Sequence, residues 1–243
     1  MTVHVDQRSE HISVVTLDRP ERRNALDHQT LGELNAALTG TPAGTRVLVL
    51  TGSAGHFCAG ADLTGVEDES FAGLLQSVLS ALRDAPFPTL AAVEGAALGA
   101  GTQLAVACDL RVSTPDASFG IPAAKLGLMV NHWTVQRLRE AAGDGPARAM
   151  LLAAEVLTGS DAHRLGLVQR LGDVGEALLW ADDIATKAPL TIAGHKLMLN
   201  ALEAAPPADD AVVQAFSRAW QSADFAEGLS AFRDRRPANF RGE

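Results

Sequence analysis

The sequence predicts an α/β domain followed by a helical tail, and three observations carry that expectation. In the first half, short runs rich in β-branched residues alternate with longer segments of helical period. Beyond about residue 175 the apolar residues recur only at helical spacing. The 243 residues are 47% hydrophobic and 20% charged, which supplies a packed core and excludes disorder. Neither an internal repeat nor a low-complexity linker interrupts the chain.

The elements follow in order. Residues 11–17, 46–51, 89–93 and 110–113 read as strands, and Thr51-Gly52-Ser53 has turn chemistry. Residues 27–38 read as a helix with Asp27 as N-cap and a stripe of Leu31, Leu34, Ala37 and Leu38. Val78, Leu79 and Leu82 mark a second helix, ended by Pro86 and Pro88. Residues 104–108 form an apolar helix and residues 146–154 another, with Pro146 in its first turn. Thr158-Gly159-Ser160-Asp161 is a turn and cap before residues 162–165. The tail then offers helices over 176–187 and 190–202, a break at Pro206-Pro207, and two more apolar stripes. One is Val213, Phe216 and Trp220; the other is Phe225, Leu229 and Phe232. Such stripes at a chain end serve as core or as subunit contact.

Charge and cysteine content narrow the function. A net charge of −9 argues against nucleic acid, although two arginine clusters (Arg19, Arg22, Arg23 and Arg233, Arg235, Arg236) could meet a small anion. The longest apolar stretch, residues 90–110, is interrupted by Glu94, Gln103 and Asp109, so no membrane insertion is expected. The N-terminus lacks the pattern of a secretory signal. Cys58 and Cys108 are far apart and read as buried small hydrophobes, with no zinc spacing and no metal site expected. A cytoplasmic location fits these features.

Two segments rich in glycine and alanine stand where chemistry is expected. They are Phe57-Cys58-Ala59-Gly60-Ala61-Asp62-Leu63 and Gly95-Ala96-Ala97-Leu98-Gly99-Ala100-Gly101-Thr102-Gln103-Leu104, each following a strand. Small residues let a ligand approach the main chain, and an N–H at a helix start is a preorganised donor. Two such donors from different loops could converge on one carbonyl oxygen. The plainer alternative is that the glycines only permit tight turns. Neither segment has the spacing of a P-loop or a dinucleotide fingerprint.

Together the segments resemble the enoyl-CoA hydratase/isomerase (crotonase) superfamily, nearly end to end. The resemblance is carried in order by Arg19-Pro20-Glu21-Arg22-Arg23-Asn24-Ala25-Leu26, Val49-Leu50-Thr51-Gly52 with residues 57–63, and residues 95–103. It continues through Cys108-Asp109-Leu110-Arg111, Phe119-Gly120-Ile121-Pro122, residues 162–168 and the closing segment 227–237. It implies a crotonase (ClpP/crotonase-like) fold of repeated β-β-α units, with an acyl-CoA-binding core over 1–175 and a helical trimerisation region over 176–243. A homotrimer or a hexamer built as a dimer of trimers is implied, with a coenzyme A thioester as ligand and no cofactor. By the same resemblance, the amides of Ala61 and Ala100 are the oxyanion donors. Arg23, Ala25, Ala59, Asp62, Leu63, Phe232 and Arg235 fall where the family binds coenzyme A and its acyl group.

The departures bear on activity. Hydratases of this family use two glutamates, and the matching positions here are Gln103 and Ala123. Neither titrates, and an amide cannot take a proton from water near neutral pH. Residues 123–125 offer no isomerase-type carboxylate. Asn131 stands where dehalogenase-like relatives have an aspartate, and His132 follows it as a possible pocket base, although a histidine beside Trp133 also reads as packing. Glu67-Asp68-Glu69 reads as a solvated run and Asp144 as a turn residue. No Ser/His pair suggests a serine protease. The implied function is a family member that binds fatty acyl-CoA thioesters in lipid metabolism without hydrating them. The alternative is an active hydratase or isomerase with unconventional acid/base residues.

Overall fold

The computed structural model describes residues 1–63, 69–202, 214, 217–218 and 220–241. A six-stranded sheet runs in the order β1 (Val3–Ser9), β2 (Ile12–Leu17), β3 (Val47–Gly52), β4 (Thr89–Val93), β6 (Leu110–Ser113) and β9 (Arg170–Leu171). The β1–β2 pair is antiparallel and the remaining pairs are parallel. A smaller sheet joins β5 (Ala96–Leu98), β7 (Ser118–Gly120) and β8 (Val156–Thr158). Glycine at 95, with φ +55°, turns β4 into β5.

Both faces of the large sheet are covered, so β3 and β4 read as unbroken apolar runs. One face presents Leu48, Leu50, Ala91 and Val93 to α1 (His28–Thr39), α2 (Glu69–Asp84) and α3 (Ala100–Ala107). The other presents Val47, Val49, Leu90 and Ala92 to Ala177, Ala181 and Ile184 of α7 (Val174–Ala185). Helix α7, the first of the tail helices, therefore completes the core of its own chain.

The helix caps follow the sequence. Asp27 accepts from Thr30 N at 2.7 Å, and Thr158 accepts from Asp161 N at 3.1 Å ahead of α6 (Gly159–Arg164). Several elements lie outside the sequence expectation. Strand β1 is an edge strand with only Val3 buried, so it shows little apolar alternation. Helix α4 (His132–Ala142) buries Thr134, Leu138 and Ala142, a stripe headed by a polar residue. Helix α5 (Asp144–Leu152) starts earlier than Pro146. Asp144 is its first residue, paired with Arg139 and Arg148 at 2.7 Å each, and is not a turn residue. Val213, Phe216, Pro206, Pro207, Glu67 and Asp68 lie outside the described residues, and Glu69 opens α2.

Two buried cations join segments. Arg111 donates to the carbonyls of Ala105, Cys108 and Leu167, binding the end of α3 to the chain before β9; burial pulls its guanidinium down to about 10, still charged at neutral pH. Lys196, in α8 (Pro189–Leu202), donates to Leu82 O, to Phe87 O and to Asp109 Oδ2 at 2.7 Å. The last helix, α9 (Ala223–Asp234), is capped by Ser222.

Candidate functional site

The two glycine-rich segments fold against each other. Residues 57–62 run as an extended segment held on both sides. Cys58 N donates to Ala96 O (2.7 Å) and Cys58 O accepts from Leu98 N (3.0 Å). On the opposite side, Leu26 N donates to Gly60 O (2.8 Å) and Asp62 N to Leu26 O (2.7 Å). Because Gly60 and Asp62 bond to Leu26, the Ala61 N–H between them faces away from that partner. Helix α3 starts at Ala100 after Gly99, whose φ is +53°, and the first amide bonded back is Gln103 N to Gly99 O (3.1 Å). Neither the Ala61 N–H nor the Ala100 N–H has an acceptor among the described residues.

Glycines set how closely the segments approach. A Cβ on Gly101 would stand 2.1 Å from Cys58 O, so only glycine lets α3 pack on this turn. A Cβ on Gly60 would stand 3.9 Å from the Ala100 nitrogen, which places the two amide-bearing turns side by side. Burial pushes the thiols of Cys58 and Cys108 up to about 12, and both are inert packing groups here.

A cavity of about 290 Å³ opens beside these amides. Phe71, Leu75 and Leu79 of α2 form one wall, Leu126, Leu128, Met129 and Val130 a second, and Trp220, Phe225 and Phe232 a third. The Trp220 indole donates to Met129 O at 3.0 Å, pinning the tail to the second wall. Gln76, Gln103 and Asn131 are its polar side chains, and among the described residues none that lines it titrates. Thr134 stands behind them. Its hydroxyl lies 2.9 Å from the Gln103 carboxamide and 2.7 Å from Asn131 Oδ1. Asn131 caps α4, accepting from Thr134 N (2.9 Å), and donates to Gln76 Oε1 at 2.5 Å. Among the described residues there is no group of three or more metal-ligating side chains.

Of the residues expected from sequence, Ala59, Ala61, Leu63, Ala100, Gln103, Ala123, Asn131 and Phe232 line this cavity. Others do not. His132 is exposed and outside the lining, because the Asn131 cap directs Thr134, two residues on, toward the cavity. Asp62 is tied to Arg19 at 3.2 Å, and Arg19 also holds Asp27 at 3.0 Å, so that arginine organises the turn. Ala25 is buried, while Arg23 and Arg235 are exposed with left-handed φ of 50° and 52°. Arg236 is engaged by Glu227 at 2.6 Å. Gln76, Phe71 and Thr134 join the site without a sequence signal beyond helical period. Among the described residues Ser70 Oγ lies 2.9 Å from His28 Nε2, but neither residue lines the cavity.

Comparison with known proteins identifies the family. The enoyl-CoA hydratase/isomerase family model matches residues 7–243. A protein named probable enoyl-CoA hydratase echA6 from Mycobacterium tuberculosis is 42% identical over 243 residues, covering 97% of this chain and 98% of that protein. The crotonyl-CoA hydratase of Syntrophomonas wolfei is 33% identical over 253 residues, covering 96% of each. The solved structure of an enoyl-CoA hydratase from Mycobacterium avium subsp. paratuberculosis superposes with a TM-score of 0.87 at 26% identity, covering 99% of both chains. With the family match over residues 7–243, the sequence identity to these relatives and the superposition, the chain has the crotonase fold and belongs to the enoyl-CoA hydratase/isomerase family.

Proposed function

We propose that this protein binds fatty acyl-CoA thioesters and does not hydrate them. One observation carries the reading: the unpartnered amides of Ala61 and Ala100 stand beside an apolar cavity that holds no titrating side chain among the described residues. The amides receive the thioester oxygen as an oxyanion hole, and the apolar walls receive the acyl chain. Gln103 and Ala123 occupy the two glutamate positions and cannot exchange protons with water near neutral pH. Arg23, with Ala25 and Ala59, borders the coenzyme A groove, and Arg235 meets its phosphates.

The exposed apolar residues of α8, with Leu190, Leu197, Leu199 and Leu202 all more than half exposed, support a homotrimer or a hexamer built as a dimer of trimers. The −9 charge speaks against nucleic acid, and no described helix is long and apolar enough to cross a membrane. The setting is lipid metabolism in the cytoplasm, with no metal or redox cofactor. A second reading, an active hydratase, is favoured by the hydratase names of the relatives.

Crotonyl-CoA and longer 2-enoyl-CoA hydration, measured beside an acyl-CoA titration, separates the two. Saturable binding without turnover is expected. Turnover near about 10 s⁻¹, the median for enzymes, would overturn the binding reading.

A further inference from the structure

The two glycine-rich segments are joined by an imidazole that stands in for a backbone carbonyl. His56 is half-buried at the turn between β3 and residues 57–62. Its Nδ1 lies 3.4 Å from Ala96 N, and a Cβ on Gly95 would fall 2.7 Å from the same nitrogen. The ring is thus packed against the turn that leads from β4 into β5.

The edge of β5 that faces residues 57–62 offers Ala96 N, Ala96 O and Leu98 N. Cys58 takes the last two, through its own N–H and its carbonyl. A parallel ladder carried back two residues would give the Ala96 N–H to the His56 carbonyl. That carbonyl accepts instead from Asn24 Nδ2 at 2.6 Å, and the ring receives the Ala96 N–H. A backbone N–H only donates, so Nδ1 is the unprotonated nitrogen and the ring proton sits on Nε2. Charged groups on the neighbouring elements are engaged elsewhere. Glu94 accepts from Val174 N at 3.1 Å, Asp18 meets His4 Nε2 at 2.8 Å, and Asp173 caps α7, while Arg23 and Asp116 are exposed. Among the described residues none of them bonds to the ring.

A second proton reverses the contact. The imidazolium carries N–H on both nitrogens, so Nδ1–H would face Ala96 N–H, donor against donor. The bond is lost between residues 57–62, which carry the Ala61 amide, and β5, which leads through Gly99 to the Ala100 amide. We infer that His56 is a positioning residue that makes the grip on an acyl carbonyl sensitive to pH, because only its neutral ring holds the two amides in register. The sign follows from the competent form. The neutral ring is the acceptor, so the grip weakens as pH falls through the range in which histidines gain a proton, ordinarily about 6.5. The inference rests on the reading of these amides as an oxyanion hole for a thioester.

Calorimetric titration of the full chain with octanoyl-CoA and with its thioether S-octyl-CoA tests it. The pair differs only in the carbonyl, so the ratio of their affinities reports the grip, and titration of the ligand phosphates cancels. The thioester preference is expected to fall about two- to tenfold, the yield of one neutral hydrogen bond, between about pH 8 and about pH 5. His56→Asn places Oδ1, an acceptor that does not titrate, where Nδ1 stands, and should keep the preference at every pH. His56→Phe keeps a ring without an acceptor and should show the reduced preference already at pH 8. If one variant does not fold, the wild-type profile with the other decides. A wild-type preference independent of pH, a fall that persists in His56→Asn, a folded His56→Asn without the preference, or a full preference in His56→Phe overturns the inference and leaves acyl-CoA binding intact. Equal binding of thioester and thioether at every pH overturns the oxyanion reading with it, and failure of both to bind overturns the acyl-CoA reading.

Discussion

Gly228 and Leu126 meet backbone to backbone: a Cβ on Gly228 would fall 2.3 Å from the Leu126 carbonyl oxygen. The contact is reciprocal, since a Cβ on Gly127, at φ +68°, would fall 2.6 Å from Asp224 O. Helix α9 is therefore seated on a cavity wall with no side chain between the two, which brings Phe225 and Phe232 over the cavity.

Gly228→Ala should unseat α9. Overpacking against a main chain that cannot yield costs about 1–3 kcal/mol, and acyl-CoA affinity should fall as the aromatic wall shifts. Thermal melting with a ligand titration checks both. Gly32→Ala is the control, because Gly32 is an exposed residue of α1 with nothing within 4 Å of its added Cβ. There a gain of roughly 0.5–1 kcal/mol in helix stability is expected.

Lys196→Met should destabilise the fold by about 3 kcal/mol, since it leaves Asp109 without its cation and takes a donor from the Leu82 and Phe87 carbonyls. Thr89 N and Oγ1 still serve the carboxylate, at 2.7 and 3.0 Å, so the chain remains folded. Urea unfolding of the two proteins measures the difference. A loss under about 0.5 kcal/mol would show that the tie between α8 and the core contributes little.

The C-terminal strap should release in acid. Hydrogen bonding from Arg236, then from Asn239 N, lowers the Glu227 carboxyl from the ordinary 4.5 to about 2. A carboxylate depressed by folding stabilises the folded form above its unfolded pKa, and that contribution is lost as pH falls through the folded value. The window therefore runs from about 4.5 down to about 2. Protection of the Asn239 amide, its exchange measured against the intrinsic rate at each pH, should fall across it, whereas Glu227→Gln should show weak protection already at neutral pH and little further change.

Placing a carboxylate at both positions, Gln103→Glu with Ala123→Glu, should produce measurable hydration of 2-enoyl-CoA. Each positioned acid or base contributes about 10²–10⁴-fold, and the two need not add. Either single change alone should stay near background. A silent double variant that still binds acyl-CoA would place the deficit in water access or carboxylate placement.

The sequence made the parallel sheet legible because β3 and β4 are buried on both faces and leave unbroken apolar runs. The Asp27 and Thr158 caps were legible for a local reason: each bonds an amide three residues away. The amides of Ala61 and Ala100 came from the resemblance carried by the two segments rich in glycine and alanine, and Gly60 and Gly101 there admit close main-chain contact. What stayed hidden depends on the third dimension. Thr134 looks like any helix residue until α4 packs against α3, and Gln76 until Asn131 reaches it. His132 shows the converse, since adjacency to Asn131 says nothing of which way α4 turns it.

Arg111 grips the last carbonyls of α3 from below, so the helix that carries Ala100 at its head can neither slide nor unwind as ligands come and go. The anchor lies outside the cavity lining, so residues of the cavity walls can change size without retuning the helix that carries the Ala100 amide.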